Sequence, residues 1–180
     1  IGISKSNINF FNREITNIKK MFWPIKKIKI FTENSNDREI LKFEDQKDNL
    51  FSILQNQKIF NQLIIELNKS KFLKFKKYIK YRKFDNFSYD LIINCDIRNE
   101  ITKKYFSKKF EKKYNSIAFT TIIDHSKLSS NNEAIQIFTN DGPIAFLPIS
   151  KEKTSIVFSA RMKENKTELD INKIIKKFNP

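Results

Sequence analysis

Glycine is almost missing from this 180-residue chain. It has 2, Gly2 and Gly142, where average usage near 7% would give about 13. A G-x-G-x-x-G dinucleotide turn and a G-x-x-x-x-G-K phosphate loop each need several residues without Cβ against a phosphate, so neither can be built from this stretch. Cysteine and histidine are equally scarce, with Cys95 and His125 the single copies. That excludes a disulfide framework, a Cys/His zinc site and a Cys–His nucleophile assembled from spare residues. No apolar run approaches the roughly 18 residues of a membrane-spanning helix. Nothing at the start reads as a secretory leader.

Apolar and basic residues are plentiful instead. The chain is 39% hydrophobic and includes 18 Phe, enough for a real core. Lys and Arg number 35 against 20 Asp and Glu, a formal charge of +15. Nucleic acid and anionic membrane both fit such an excess; a solvated surface rich in Lys fits it too. In the densest run Leu73, Phe75, Ile79 and Tyr81 share one parity, and Lys74, Lys76, Lys80 and Arg82 the other. Period two predicts a strand with one wet face. The Gly/aromatic signature of an RNA-binding sheet is missing, and no nucleic-acid partner is expected.

The periodicity predicts an α+β chain. Ser4 or Ser6 caps a helix with Ile8, Phe11, Ile15 and Ile18 on one side, ending before Pro24. Strands are expected over 25–33 and 39–44, joined by a polar turn at 34–37, and over 50–54. A second helix opens at Asn56 or Gln57. Beyond it come a strand pair within 72–84, a turn at Asp85 and Asn86, and a buried strand over 89–94. A short helix follows around 99–106. Strands at 116–124, 134–139, 143–149 and 154–160 have the spacing of an antiparallel sheet, and a helix capped by Thr167 closes the chain.

Few residues invite chemistry. Asp96 follows the expected buried strand, where a carboxylate can receive a ligand's hydroxyls or simply cap a turn; both readings stay open. Cys95 reads as a small buried apolar residue. His125 and Asp124 are strand neighbours and point to opposite faces, which argues against a dyad. Met21, Phe22 and Trp23 read as core. The run 141–150 is the most informative, because it holds one of two glycines and two of 4 prolines. Gly142 supplies a positive φ, Pro143 stiffens the entry to the strand, and Pro148 ends ladder pairing or sits at a bulge.

That run carries a resemblance. Gly142-Pro143-Ile144-Ala145-Phe146-Leu147-Pro148-Ile149, with Thr154-Ser155-Ile156-Val157-Phe158-Ser159 after it, resembles the Gly-Pro-Leu-Ala-x-Leu-Pro stretch and next strand of the flavin hydroxylases of ubiquinone biosynthesis. These are FAD-dependent aromatic monooxygenases with a hydroxybenzoate-hydroxylase-like fold. Gly2-Ile3-Ser4 with Phe10 and Phe11, Pro24-Ile25-Lys26-Lys27-Ile28, the stretch around Gln55-Asn56-Gln57, and 89–96 fall in the family's order. The resemblance implies that residues 1–96 are part of an FAD-binding domain with inserted strands, and 97–180 a substrate-side antiparallel sheet and following helix. The family's Gly-rich turn would precede Ile1 and its second flavin motif would follow Pro180, so the chain is expected to be a fragment, inactive alone.

The implied activity is hydroxylation of the ring of a polyprenylphenol, using FAD, NAD(P)H and O2. Asp96 matches the family Asp that bonds the ribityl chain, although Ile97 stands where the family has Gly. Asn56 is retained, and Gln57 replaces an Arg near the flavin. Phe119, Phe138, Gly142, Pro143 and Phe146 are the implied substrate residues, and no general base is implied. Other ubiquinone-biosynthesis proteins are the implied partners. The implied location is cytoplasmic, with peripheral contact at the inner face of the membrane. Two other classes stay open: a non-catalytic scaffold of a biosynthetic complex, and a basic module for nucleic acid or membrane surfaces.

Overall fold

The computed structural model describes residues 1–34, 38–45, 47–75, 90–106, 108, 110–112, 114–161 and 170–179. The chain divides into two compact units, Ile1–Lys69 with Asn115–Pro180, and Ser70–Tyr114. Residue 96 lies inside the second.

The first unit is α+β with two sheets. A three-stranded antiparallel sheet has the order β1–β5–β2, from Gly2–Ile3, Phe51–Leu54 and Phe22–Ile25. A six-stranded mixed sheet has the order β4–β3–β7–β8–β9–β6. Its strands are β3 (Lys27–Thr32), β4 (Leu41–Glu44), β6 (Ser116–Asp124), β7 (Glu133–Thr139), β8 (Gly142–Pro148) and β9 (Lys153–Arg161). Only β3 and β7 run parallel; every other pair is antiparallel. Helices are α1 (Lys5–Phe10), α2 (Asn56–Asn68) and α4 (Ile171–Phe178), with α3 (Glu100–Tyr105) in the second unit.

Strand parity sorts the large sheet into two faces. Ile144, Phe146, Ile156 and Phe158 point to one, where they are buried under Ile171, Ile174, Ile175 and Phe178 of α4. These four recur at i, i+3, i+4 and i+7, one stripe of a helix, and Asp170 starts it by accepting the Lys173 N–H at 3.1 Å. Ala134, Ile28 and Leu147 belong to the other face, where they pack against Ile25, Ile53, Phe51 and Trp23 of the small sheet. A third cluster, Ile3, Ile8, Ile18 and Leu54, seals the small sheet beneath α1.

Several expectations change. Ser4 does cap α1, its Oγ accepting from the Asn7 N–H, but the helix does not run on toward Pro24. It passes into one π-helical turn, Phe11–Ile15, and Thr16 is extended. Asn12 Oδ1 captures the Ile18 N–H at 2.8 Å, a side-chain bond that competes with helix; Ile18 still reaches the core, from outside the helix. Pro24 lies within β2, an edge strand of the small sheet, where a missing N–H is tolerated. The expected buried strand at 89–94 is not formed over the described part. Residues 91–96 are irregular, Leu91 is 74% exposed and Ile93 77%, because no described strand lies opposite to ladder with them. Cys95 is exposed rather than buried. Residues 72–75 hold no strand; the rest of that expected pair, the turn at Asp85 and Asn86, and the Thr167 cap lie outside the described residues.

Candidate functional site

A cavity of about 760 Å³ opens between the start of α2 and the sheet face opposite α4. Its floor is Leu147 on β8 and Ile149 just past it, Ser155 and Val157 on β9, and Thr120 and Ile122 on β6; Ile53 and Leu54 close one end. Gln55, Asn56 and Gln57 stand at its other wall. Gln55 is the residue before α2 and makes no side-chain cap bond; its carbonyl accepts the Lys58 and Ile59 N–H groups, which leaves those of Asn56 and Gln57 to face the cavity mouth. No acidic, basic or imidazole side chain lines this cavity among the described residues. Uncharged donors facing an apolar floor suit a flat heteroaromatic with acceptor atoms along one edge.

Asn56 and Gln57 are therefore brought to a common cavity. Both are exposed, and Gln57 Nε2 donates to Asn61 Oδ1 one turn on at 2.8 Å. Asp96 belongs to the second unit. There it is a turn residue: Oδ1 accepts the Arg98 N–H at 2.9 Å, and its carbonyl accepts from Thr102 Oγ1 at 2.7 Å. Asn99, not Asp96, caps α3, its Oδ1 accepting the Thr102 N–H at 2.9 Å.

The five residues implied for substrate do not share a wall. Phe138 and Pro143 oppose one another on β7 and β8, on the face of Ala134 and Leu147. Phe119 and Phe146 are on the α4 face, Phe119 stacked on Phe158 at 6.4 Å between centroids and Phe146 only 3% exposed. Gly142 shares their parity. The pleat divides them, because odd and even positions of β8 look opposite ways. Leu147, Ile149 and Val157, which do line the cavity, were not singled out from the sequence. Counting in twos from Pro143 through Ala145 to Leu147 and Ile149 was the available signal.

On the α4 face a second cavity of about 570 Å³ is lined by His125, Asn131, Thr154, Lys27, Glu133 and Phe146, among others. His125 Nδ1 lies 2.9 Å from the Ser126 carbonyl, which only accepts, so Nδ1 holds the proton. In the neutral ring Nε2 then accepts from the Thr154 hydroxyl at 3.1 Å. Asn131 Nδ2 donates to the Ser150 carbonyl at 2.7 Å. Asp124 turns away to Lys153, 2.9 Å distant. These bonds pin the 125–132 loop to the β8–β9 hairpin.

Perturbed titrations sit at ion pairs, not in the first cavity. Glu33 is held below the ordinary carboxylate value by Lys177 and then by the Asn140 N–H. Glu66 is lowered by Lys69 and then by the Thr16 hydroxyl, and Glu44 by Lys42. Among the described residues no group of metal-ligating side chains gathers, and no helix is long and apolar enough to cross a membrane.

No family model matches the chain, and no curated protein matches it.

Proposed function

We propose that this chain is part of a flavin-dependent monooxygenase that hydroxylates the ring of a prenylated phenol in ubiquinone biosynthesis, with FAD as cofactor and NAD(P)H and O2 as co-substrates. The observation that carries this reading is the uncharged cleft over the sheet face opposite α4, with the Gly-Pro strand β8 central in that sheet and amides of Asn56 and Gln57 facing it. The donor set fits a flavin's acceptor-rich edge, and the apolar floor fits an uncharged ring stacked beside it.

In this reading Asn56 and Gln57 hold and orient the isoalloxazine edge. When bound and reduced, the flavin supplies the oxygen-transferring chemistry. The chain's own part is positional. Leu147, Ile149 and Val157 exclude water from the reacting ring, and the hydroxyls of Thr120 and Ser155 offer neutral hydrogen-bond partners to a phenol oxygen.

The test uses the full gene product that contains this sequence. It should purify yellow, or take up FAD with a flavin absorbance band. Val157→Lys sets an ammonium into the uncharged cleft and should weaken FAD uptake at least tenfold while thermal unfolding shifts little. A colourless protein that takes up no FAD sinks the proposal.

A further inference from the structure

The outer edge of β6 is used neither by the cleft nor by the core. The sheet ends there. β9 pairs with β6 along its full length, from Ser116 opposite Arg161 to Asp124 opposite Lys153. Among the described residues no strand takes the other side. An antiparallel strand turns alternate N–H and C=O pairs outward, so half of this backbone presents unpaired donors and acceptors.

Natural sheets guard such edges by shortness, charge, proline or a bulge. β4, the opposite edge, is guarded in two of these ways: it has 4 residues and carries Lys42 and Glu44. β6 has 9 residues, and Ser116 through Ile123 contain no charge, no Pro and no Gly. Two of its apolar side chains stand in the open, Ile117 at 43% and Ile122 at 54% exposure.

We propose that this edge is a self-association surface: β6 of a second copy adds antiparallel about a two-fold axis at Thr120, making one sheet through both copies. A two-fold normal to the sheet keeps like faces together, so only residues of equal parity can oppose. Centring at Thr120 keeps the whole strand in the ladder. It sets Phe119 against Thr121, Ala118 against Ile122 and Ile117 against Ile123. These are aromatic and β-branched pairs of the favourable kind, with no like charges opposed. The contact is isologous and closes on itself, which stops further growth from this edge. One strand pair is a small interface beside the roughly 1,200–2,000 Å² of stable complexes, so a dimer that dissociates on dilution is expected. Thr120 and Ile122 also line the cleft, so the partner strand would border it. The inference stands apart from the flavin reading and survives its failure.

The experiment uses the full chain with Cys95→Ser and no other cysteine. Sedimentation velocity up to high micromolar concentration should give a reversible dimer. Thr120→Cys should then form an intermolecular disulfide under mild oxidation, because opposed antiparallel residues have Cα atoms about 4.5–5.5 Å apart. Ile117→Cys alone should not cross-link, its two copies lying about 20 Å apart, but should do so when mixed with Ile123→Cys. Thr120→Lys, which opposes two ammonium groups, should weaken the dimer at least tenfold while leaving thermal unfolding in place. A protein that is monomeric throughout overturns the proposal. So does a dimer that ignores Thr120→Lys and cross-links at none of these positions, since another surface would then hold it.

Discussion

Glu33, just past β3, accepts a 2.7 Å hydrogen bond from Lys177 Nζ in the last turn of α4, and its second oxygen accepts the Asn140 backbone N–H at 2.8 Å. One carboxylate thus ties the C-terminal helix, the β7–β8 turn and β3 together. Its side chain is 19% exposed and that of Lys177 61%, so the pair is a surface bridge screened by water on the lysine side.

Both donors favour the charged carboxylate, Lys177 first, so the folded pKa lies below the ordinary 4.5. A depressed carboxylate contributes stability that is fully present above its unfolded pKa and is lost as pH falls through the folded one. Glu33→Gln is therefore expected to cost about 1 kcal/mol at neutral pH. Urea unfolding of both proteins should show the gap closing in acid, below the ordinary carboxylate range. A gap that persists there would assign the loss to packing.

Gly142 is held at φ +134°, and a Cβ on it would be driven into the Ser159 carbonyl oxygen on β9. Gly142→Ala meets a backbone conformation closed to L side chains and a strand that cannot retreat without breaking its ladder. About 3 kcal/mol or more of destabilisation is expected, read by thermal or urea unfolding. Asn140→Ala, two residues earlier in the same turn and exposed, is the comparison and should cost under about 1 kcal/mol.

Phe158 and Phe138 separate core from surface within one sheet. Phe158 is 1% exposed beneath α4, whereas Phe138 is 45% exposed on the other face. Phe158→Ala is expected to cost about 3–5 kcal/mol by transfer plus cavity. Phe138→Ala should cost about 1 kcal/mol or less. Equal losses by chemical denaturation would contradict the assignment of faces.

Asn131 joins two places that the sequence keeps far apart. Its carbonyl accepts from the Trp23 indole N–H, and its side chain donates to Ser150. Trp23→Phe leaves the ring volume nearly filled but removes that donor, and should cost about 1 kcal/mol. Near-neutral stability would show that water replaces the indole without loss.

Strands β6 to β9 were legible because their alternation is regular and Gly142 marks the tight turn from β7 to β8, although the place of β6 beyond β9 was not. Each of the four strands was placed within one residue at either end, allowing for fraying. The helix at α2 was legible from its apolar spacing, though its flank stays partly open, with Phe60 at 59% and Leu67 at 41% exposure. What failed was non-local. Pro24 read as a terminator because nothing in the sequence says that β2 would be an edge. The apolar run at 91–93 read as buried, but burial needs an opposing layer, which periodicity cannot supply. Sheet membership was equally hidden: the strand expected over 50–54 joins Gly2–Ile3 and Phe22–Ile25, not the neighbouring β3–β4 hairpin. Of the cavity lining, Asn56 and Gln57 had been singled out in the sequence, while the floor residues needed the pleat to be counted.

The parallel pairing of β3 with β7 sets Lys27 beside Glu133 and Thr32 beside Phe138. During synthesis β3 therefore emerges long before its inner neighbour exists, and meanwhile its one available partner in the large sheet is β4. Closure of so long a loop is slow relative to local pairing. The nascent chain thus carries β3 with its inner edge unpaired until the ribosome has passed residue 138, which makes this interval the one in which a chaperone has most to bind.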